Sequence, residues 1–131
     1  MLFAKNKITS VEKLTLELSG MRALVEYEIV SGGDTAEVAK YAVMFDKGEK
    51  KRKLEKSVVC KTEKVLELVN SVKLLSWDGF YGSHPRGVRD GTMFALNASV
   101  NGGKTVSARG SQNFPRRYWK FTDGLYEILN A

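Results

Sequence analysis

Phe94-Ala95-Leu96-Asn97-Ala98-Ser99-Val100-Asn101-Gly102-Gly103-Lys104-Thr105-Val106-Ser107-Ala108 is the stretch on which the fold turns. Phe94, Leu96, Ala98 and Val100 share one side, with Asn97 and Ser99 on the other, which is the period of a half-buried strand. Asn101-Gly102-Gly103 supplies residues that accept the positive φ of a tight hairpin turn. Val106 and Ala108 then carry the alternation back out. The spacing predicts an antiparallel hairpin with arms over 92–100 and 105–111.

Upstream, the same device recurs. Leu14, Leu16 and Leu18 alternate with Thr15 and Glu17 at the end of a strand over 8–18, and Ser19-Gly20 turns the chain. A second strand over 22–31 sets Val25, Tyr27 and Ile29 against Glu26 and Glu28, which face away from the core. Ser31-Gly32-Gly33-Asp34 is a further hairpin signal. A third strand follows over 35–45, then a turn at Asp46-Lys47-Gly48-Glu49, then a fourth strand over 54–60. The run Lys50-Lys51-Arg52-Lys53 is expected at the tip or start of this last hairpin. It reads there as solvated charge that discourages edge pairing, or as a nucleic-acid contact.

Two segments carry helical spacing instead. Val65, Leu66, Val69 and Val72 form one stripe of a helix over 62–74, with Thr62 as its cap and Glu63 in its first turn. Asn113-Phe114-Pro115 opens a last helix whose stripe is Tyr118, Phe121, Leu125, Ile128 and Leu129, with Gly124 a local weakness. The expected fold class is α+β: a two-layer domain with a mainly antiparallel sheet of about six strands and both helices on one face. The order is ββββ-α-ββ-α, in a single domain over residues 1–131.

Composition narrows the function classes. The 131 residues are 43% hydrophobic and 27% charged, enough for a core that needs no staple. Cys60 is the single cysteine, so no internal disulfide forms, and Cys/His clusters are absent, so no metal site is expected. Its place after Val58-Val59 suits a buried structural thiol better than a nucleophile. No run approaches the length of a membrane span, and residues 1–20 carry charges where a secretory segment would be apolar. A cytoplasmic protein with no membrane partner and no cofactor is expected. The net charge of +6 is uneven: residues 84–120 hold seven Lys/Arg against Asp90 alone, which favours an anionic partner.

Between the first helix and the central hairpin lie fourteen residues without any period, Asp78 to Gly91. Loops of this length inside a compact domain are uncommon and are functional or folded on their own side chains. Trp77, Phe80 and Tyr81 offer stacking surfaces, Arg86 and Arg89 guanidinium forks, and His84 a donor or acceptor near neutral pH. Arg109 and Asn113 join them if the loop folds over the second hairpin and the start of the last helix. The other reading makes Trp77 and Phe80 core plugs of an Ω-loop, with Arg86 and Arg89 paired to Asp78 or Asp90. Arg116 and Arg117 belong to the same basic segment or are solvated surface. For chemistry, His84 with Asp78 or Asp90 has no marked nucleophile beside it. Neither a nucleophile elbow, a phosphate-loop lysine motif nor a dinucleotide fingerprint is present.

The residues Trp77-Asp-Gly-Phe-x-Gly-x-His-Pro-Arg-Gly-Val-x-Asp-Gly-x-Met-Phe94, with Val100-Asn-Gly-Gly and Ala108-x-Gly-Ser-x-Asn-Phe-Pro115, resemble a family of small bacterial proteins and domains. No activity is assigned to that family, so the resemblance implies a bacterial setting, carries over no catalytic residue, and joins the two segments into one structural unit. The reading that follows is a non-enzymatic binding module. Its ligand site would take an anionic small molecule, a nucleotide among them, or an acidic protein surface. The alternatives are a nucleic-acid-binding protein acting through 84–120, and a structural domain that forms a homo-oligomer.

Overall fold

The structure is a computed structural model and describes residues 7–20, 24–87 and 91–131. One sheet runs through it. β1 (Val11–Ser19), β2 (Leu24–Gly32), β3 (Thr35–Asp46) and β4 (Glu49–Lys61) form an antiparallel meander. β5 (Tyr81–Gly82) is two residues long, and β6 (Met93–Val100) and β7 (Lys104–Ser111) form the central hairpin. The spatial order is β4-β3-β2-β1-β6-β7-β5. The halves therefore meet at one seam, where β1 lies antiparallel to β6 with Leu16 opposite Leu96 and Leu14 opposite Ala98.

Helices α1 (Thr62–Ser71) and α2 (Tyr118–Leu129) complete the α+β domain. Val65, Leu68 and Val69 of α1 and Tyr118, Phe121, Leu125 and Leu129 of α2 are buried in a single apolar cluster. The inward row of the sheet supplies the rest of it, including Leu14, Leu16, Ile29, Val38, Leu96 and Val106. Gly124 has a reason beyond propensity. A Cβ there would stand 2.3 Å from Leu68 Cδ1 of α1, so the missing side chain lets the helices approach.

Five expectations are corrected by the fold. The sheet has seven strands, not six, because part of the loop expected to lack a period pairs as β5, parallel to β7. β4 begins at Glu49, so Lys50-Lys51-Arg52-Lys53 lies within a strand, paired with Phe45, Met44, Val43 and Ala42. Thr62 caps nothing. It is the first helical residue, its Oγ1 donates to Gly33 O (2.8 Å) and its N–H to Asp34 O (2.9 Å). α1 ends at Ser71 and gives way to a 3-10 turn over Leu74–Trp77, after Lys73 takes a left-handed φ of 54°. The last helix starts at Tyr118 rather than at Pro115, because Arg117 has φ 69° and breaks the run between them. The first residues of the expected second strand, Met21, Arg22 and Ala23, lie outside the described residues.

Candidate functional site

The loop after α1 finishes the β7 margin of the sheet. Trp77 is 2% exposed; its Nε1 donates to Arg116 O at 3.1 Å, and its ring meets Phe121 edge-on at 5.6 Å. Beyond this anchor, Asp78 Oδ1 accepts the Ser107 N–H (2.9 Å), Gly79 N–H donates to Ser107 O (2.9 Å), and Phe80 O accepts the Arg109 N–H (3.1 Å). These bonds satisfy backbone groups that an outermost strand would leave unpaired. Phe80 turns inward against Phe94. Two glycines permit the crossing of the next segment: a Cβ on Gly110 would lie 2.1 Å from Asn113 O, and one on Gly82 2.6 Å from it. The Trp77–Gly82 and Gly110–Pro115 segments thus form one unit through backbone contacts.

Among the described residues the other face of the sheet carries no helix. Near the Ser19 end of β1 it holds a cavity of about 590 Å³. Cross-strand register explains its floor. Glu17, Ala95, Arg109 and Tyr81 lie side by side on β1, β6, β7 and β5, and Ser19, Met93 and Ser111 make the next row. Ala95 is the small member, so the floor is hollow there. The β3–β4 hairpin supplies the opposite wall with Val43 and Phe45. Phe45, Tyr81 and Met93 are 62%, 73% and 52% exposed, although each lines this one cavity.

A charged brace holds the hairpin wall. Lys50 Nζ donates to Glu17 Oε1 (2.6 Å) and Glu26 Oε1 (3.1 Å), reaching from β4 to β2 and β1. Arg52 donates to the other oxygen of Glu26, lies 3.6 Å from Glu28, and sits 4.1 Å over the Tyr41 ring. Glu26 faces away from the apolar core, as its alternation predicts, yet these cations leave it 5% exposed. Burial by itself would raise its pKa. The hydrogen bonds from Arg52 and Lys50 outweigh that, and hold the carboxyl below its ordinary value. Reciprocally, bonds to Glu17 and Glu26 raise the Lys50 pKa.

Of the residues singled out from sequence, His84 and Arg109 line the cavity, together with Tyr81 and Gly82 of the loop. Trp77 is core, and Phe80 packs partly buried against the core. Arg86 is exposed in a turn outside the cavity lining, and Asn113 packs behind Gly82 and Gly110. Arg89, with Val88 and Asp90, lies outside the described residues. Among the described residues the basic segment does not converge: Arg109 is on the helix-free face, Lys104 at the far end of β7, and Arg116 and Arg117 precede α2 on the other face. Asp78 accepts the Ser107 N–H.

Most of the cavity lining is not marked as a site in the sequence, Lys50, Phe45, Glu17 and Ser111 among it. Lys50 and Phe45 arrive through a hairpin that overhangs β2, and Glu17 through its place beside Ala95. Ser111 Oγ lies 2.7 Å from His84 Nδ1 across 27 positions of sequence. Of these, only the Glu17–Ala95–Arg109 row follows from strand alternation once β1 is known to pair with β6. Cys60 is half-buried on the core side, and burial pushes its thiol pKa up, as suits an inert thiol. Among the described residues no group of three His, Cys, Asp or Glu is placed to hold a metal ion, and no helix is long and apolar enough to cross a membrane.

The cavity can therefore receive a molecule with two parts. Arg109 offers a guanidinium with no ion-pair partner among the described residues, His84 and Ser111 offer polar atoms beside it, and the hairpin wall is apolar. In comparisons with known proteins, the chain matches no family model and no curated protein.

Proposed function

We propose that the chain is a non-enzymatic binding module whose site is the cavity on the helix-free face. Its ligand is a small anion with an apolar or aromatic body, a nucleotide or an aromatic carboxylate being of the right kind. The observation that supports this is Arg109 set between Tyr81 and Ala95, with Met93 in the next row, in a hollow of about 590 Å³. That size falls within the roughly 300–1,000 Å³ of small-molecule sites. A guanidinium grips carboxylate or phosphate through two parallel bonds, and an adjacent aromatic face adds stacking. The scattered cations of residues 84–120 favour a small ligand over a nucleic acid, which needs a continuous basic track. We assign the module to a bacterial cytoplasm, on the resemblance carried by residues 77–115 and on its lone half-buried thiol.

Native mass spectrometry of gently purified protein, followed by calorimetric titration with adenosine monophosphate and with indole-3-acetate, tests the reading. Binding of either anion should be lost in Arg109→Ala and weakened about tenfold in Arg109→Lys, which keeps the charge but not the fork. A folded Arg109→Ala protein that binds the same anions unchanged overturns the site. Binding to single-stranded DNA that falls steeply with salt, with no affinity for either anion, would favour the nucleic-acid reading instead.

A further inference from the structure

We infer that the free edge of β4 is a docking strand for an extended segment of another protein in which acidic and apolar residues alternate. β4 is the outermost strand on its side. It pairs with β3 along Glu49–Lys61 and, among the described residues, with nothing beyond. All nine residues from Glu49 to Ser57 are exposed. An edge of thirteen residues offers a row of unpaired N–H and C=O groups to an added strand.

The side chains of β4 divide by chemistry as well as by direction. Those opposite the buried Ala36 and Val38 lie on the helix side, and those opposite Glu37 and Tyr41 on the helix-free side. Continuing the alternation past the bulge at Lys40/Tyr41, Lys51, Lys53 and Lys56 fall on the helix side, opposite Met44, Ala42 and Lys40. Lys53 and Lys56 have no ion-pair partner among the described residues; Lys56 Nζ donates to the neutral Asn130 Oδ1 at 2.9 Å, and Lys51 makes one contact with Asp46 at 3.4 Å. On the helix-free side the cations Lys50 and Arg52 are neutralised by Glu17, Glu26 and Glu28, and what remains outward are the apolar Leu54 and Val59, 53% and 67% exposed, with Ser57 between them and Lys61 at the strand's end.

A strand laid beside β4 must send its side chains alternately to these two sides. Acidic residues then meet Lys51, Lys53 and Lys56, and apolar residues meet Leu54 and Val59. A second copy of β4 does not satisfy this rule. It would bring six Lys/Arg and two Glu against the same set, and like charges across a ladder repel. The lysines thus bar the edge to its own kind and open it to an acidic strand.

The probe is an acetylated peptide of about ten residues in which glutamate and valine alternate, followed by fluorescence anisotropy and by backbone amide NMR. Expected are amide shifts concentrated on Glu49–Lys61, and affinity weakened about tenfold in Lys53→Glu/Lys56→Glu with circular dichroism unchanged. The same peptide N-methylated at every second residue should not bind, since it keeps its charge but cannot ladder. Arg109→Ala should bind the peptide like the parent, which separates this edge from the cavity. Equal affinity for the N-methylated peptide or for an all-glutamate peptide, shifts away from β4, or no binding at about millimolar peptide overturns the proposal. A dimer through β4 that the peptide does not dissociate overturns it too.

Discussion

The two margins of the sheet are finished in opposite ways. At β7 the chain folds its own loop onto the edge, so that Asp78, Gly79 and Phe80 occupy the groups of Ser107 and Arg109. At β4 the outer side of a thirteen-residue strand has no neighbouring strand among the described residues and is loaded with lysine instead. Both measures prevent indiscriminate pairing, but they differ in what they leave available. The covered margin is coupled to the core through Trp77 and Phe80, so a disturbance there reaches the fold. Among the described residues the lysine margin packs on the core through Val58 and Cys60 near its end, so that, apart from the brace made by Lys50 and Arg52, its lysines can change with little structural consequence.

Substitutions graded from the first margin to the second test that contrast. Trp77→Ala removes the anchor of the covering loop and should lower unfolding free energy by about 4 kcal/mol, measured by urea denaturation, with loss of amide protection at Arg109. Gly110→Ala places a methyl 2.1 Å from Asn113 O. It should lower stability by about 2–3 kcal/mol and detach β5 even in protein that remains folded, an outcome that hydrogen exchange reads at Arg109.

Glu26→Gln tests the brace that joins the β4 hairpin to the middle of the sheet. The folded Glu26 pKa lies below its ordinary 4.5. Its ionic contribution is therefore complete above that value and is lost as pH falls through the lower folded one. At neutral pH the variant should lose about 1–2 kcal/mol, since its partners are half-exposed. The gap between variant and parent should close as pH drops below 4.5, and a gap that widens there would contradict the brace. Lys53→Glu/Lys56→Glu should change stability by less than about 0.5 kcal/mol; a larger loss would mean that the β4 margin is structural after all.

Alternation and turn chemistry carried most of the fold. The Asn101-Gly102-Gly103 and Ser31-Gly32-Gly33-Asp34 turns, and the stripe of Tyr118, Phe121 and Leu125, are local signals, and each lies where its period puts it. What escaped was set by distant partners. β5 has no strand pattern of its own and pairs only because β7 offers unfilled groups beside it. The charge run at 50–53 reads as a tip until Glu17, Glu26 and Glu28 are seen to lie within its reach. Arg117 reads as helix because nothing in its neighbours announces a left-handed φ. The candidate site was legible in half of its wall. His84 and Arg109 stood out as rare or charged residues, whereas Ser111, Phe45 and Glu17 are ordinary until register assembles them.

The seam between β1 and β6 also sets an order of events. Four strands and α1 can form from neighbours in sequence, and so can β6, β7 and α2, but Val11 must find Val100 and Leu14 must find Ala98. On a ribosome, β1 would wait until Val100 had emerged before its second edge was closed. Pairings this distant in sequence slow folding through the entropy of closing the intervening chain. A circular permutant that joins the present ends through a flexible linker and opens the chain between α1 and β6 would shorten the sequence between β1 and β6 to a stretch holding only β7, α2 and the linker region. It should refold faster than the parent at similar stability, and a refolding rate unchanged by permutation would show that the seam does not limit folding.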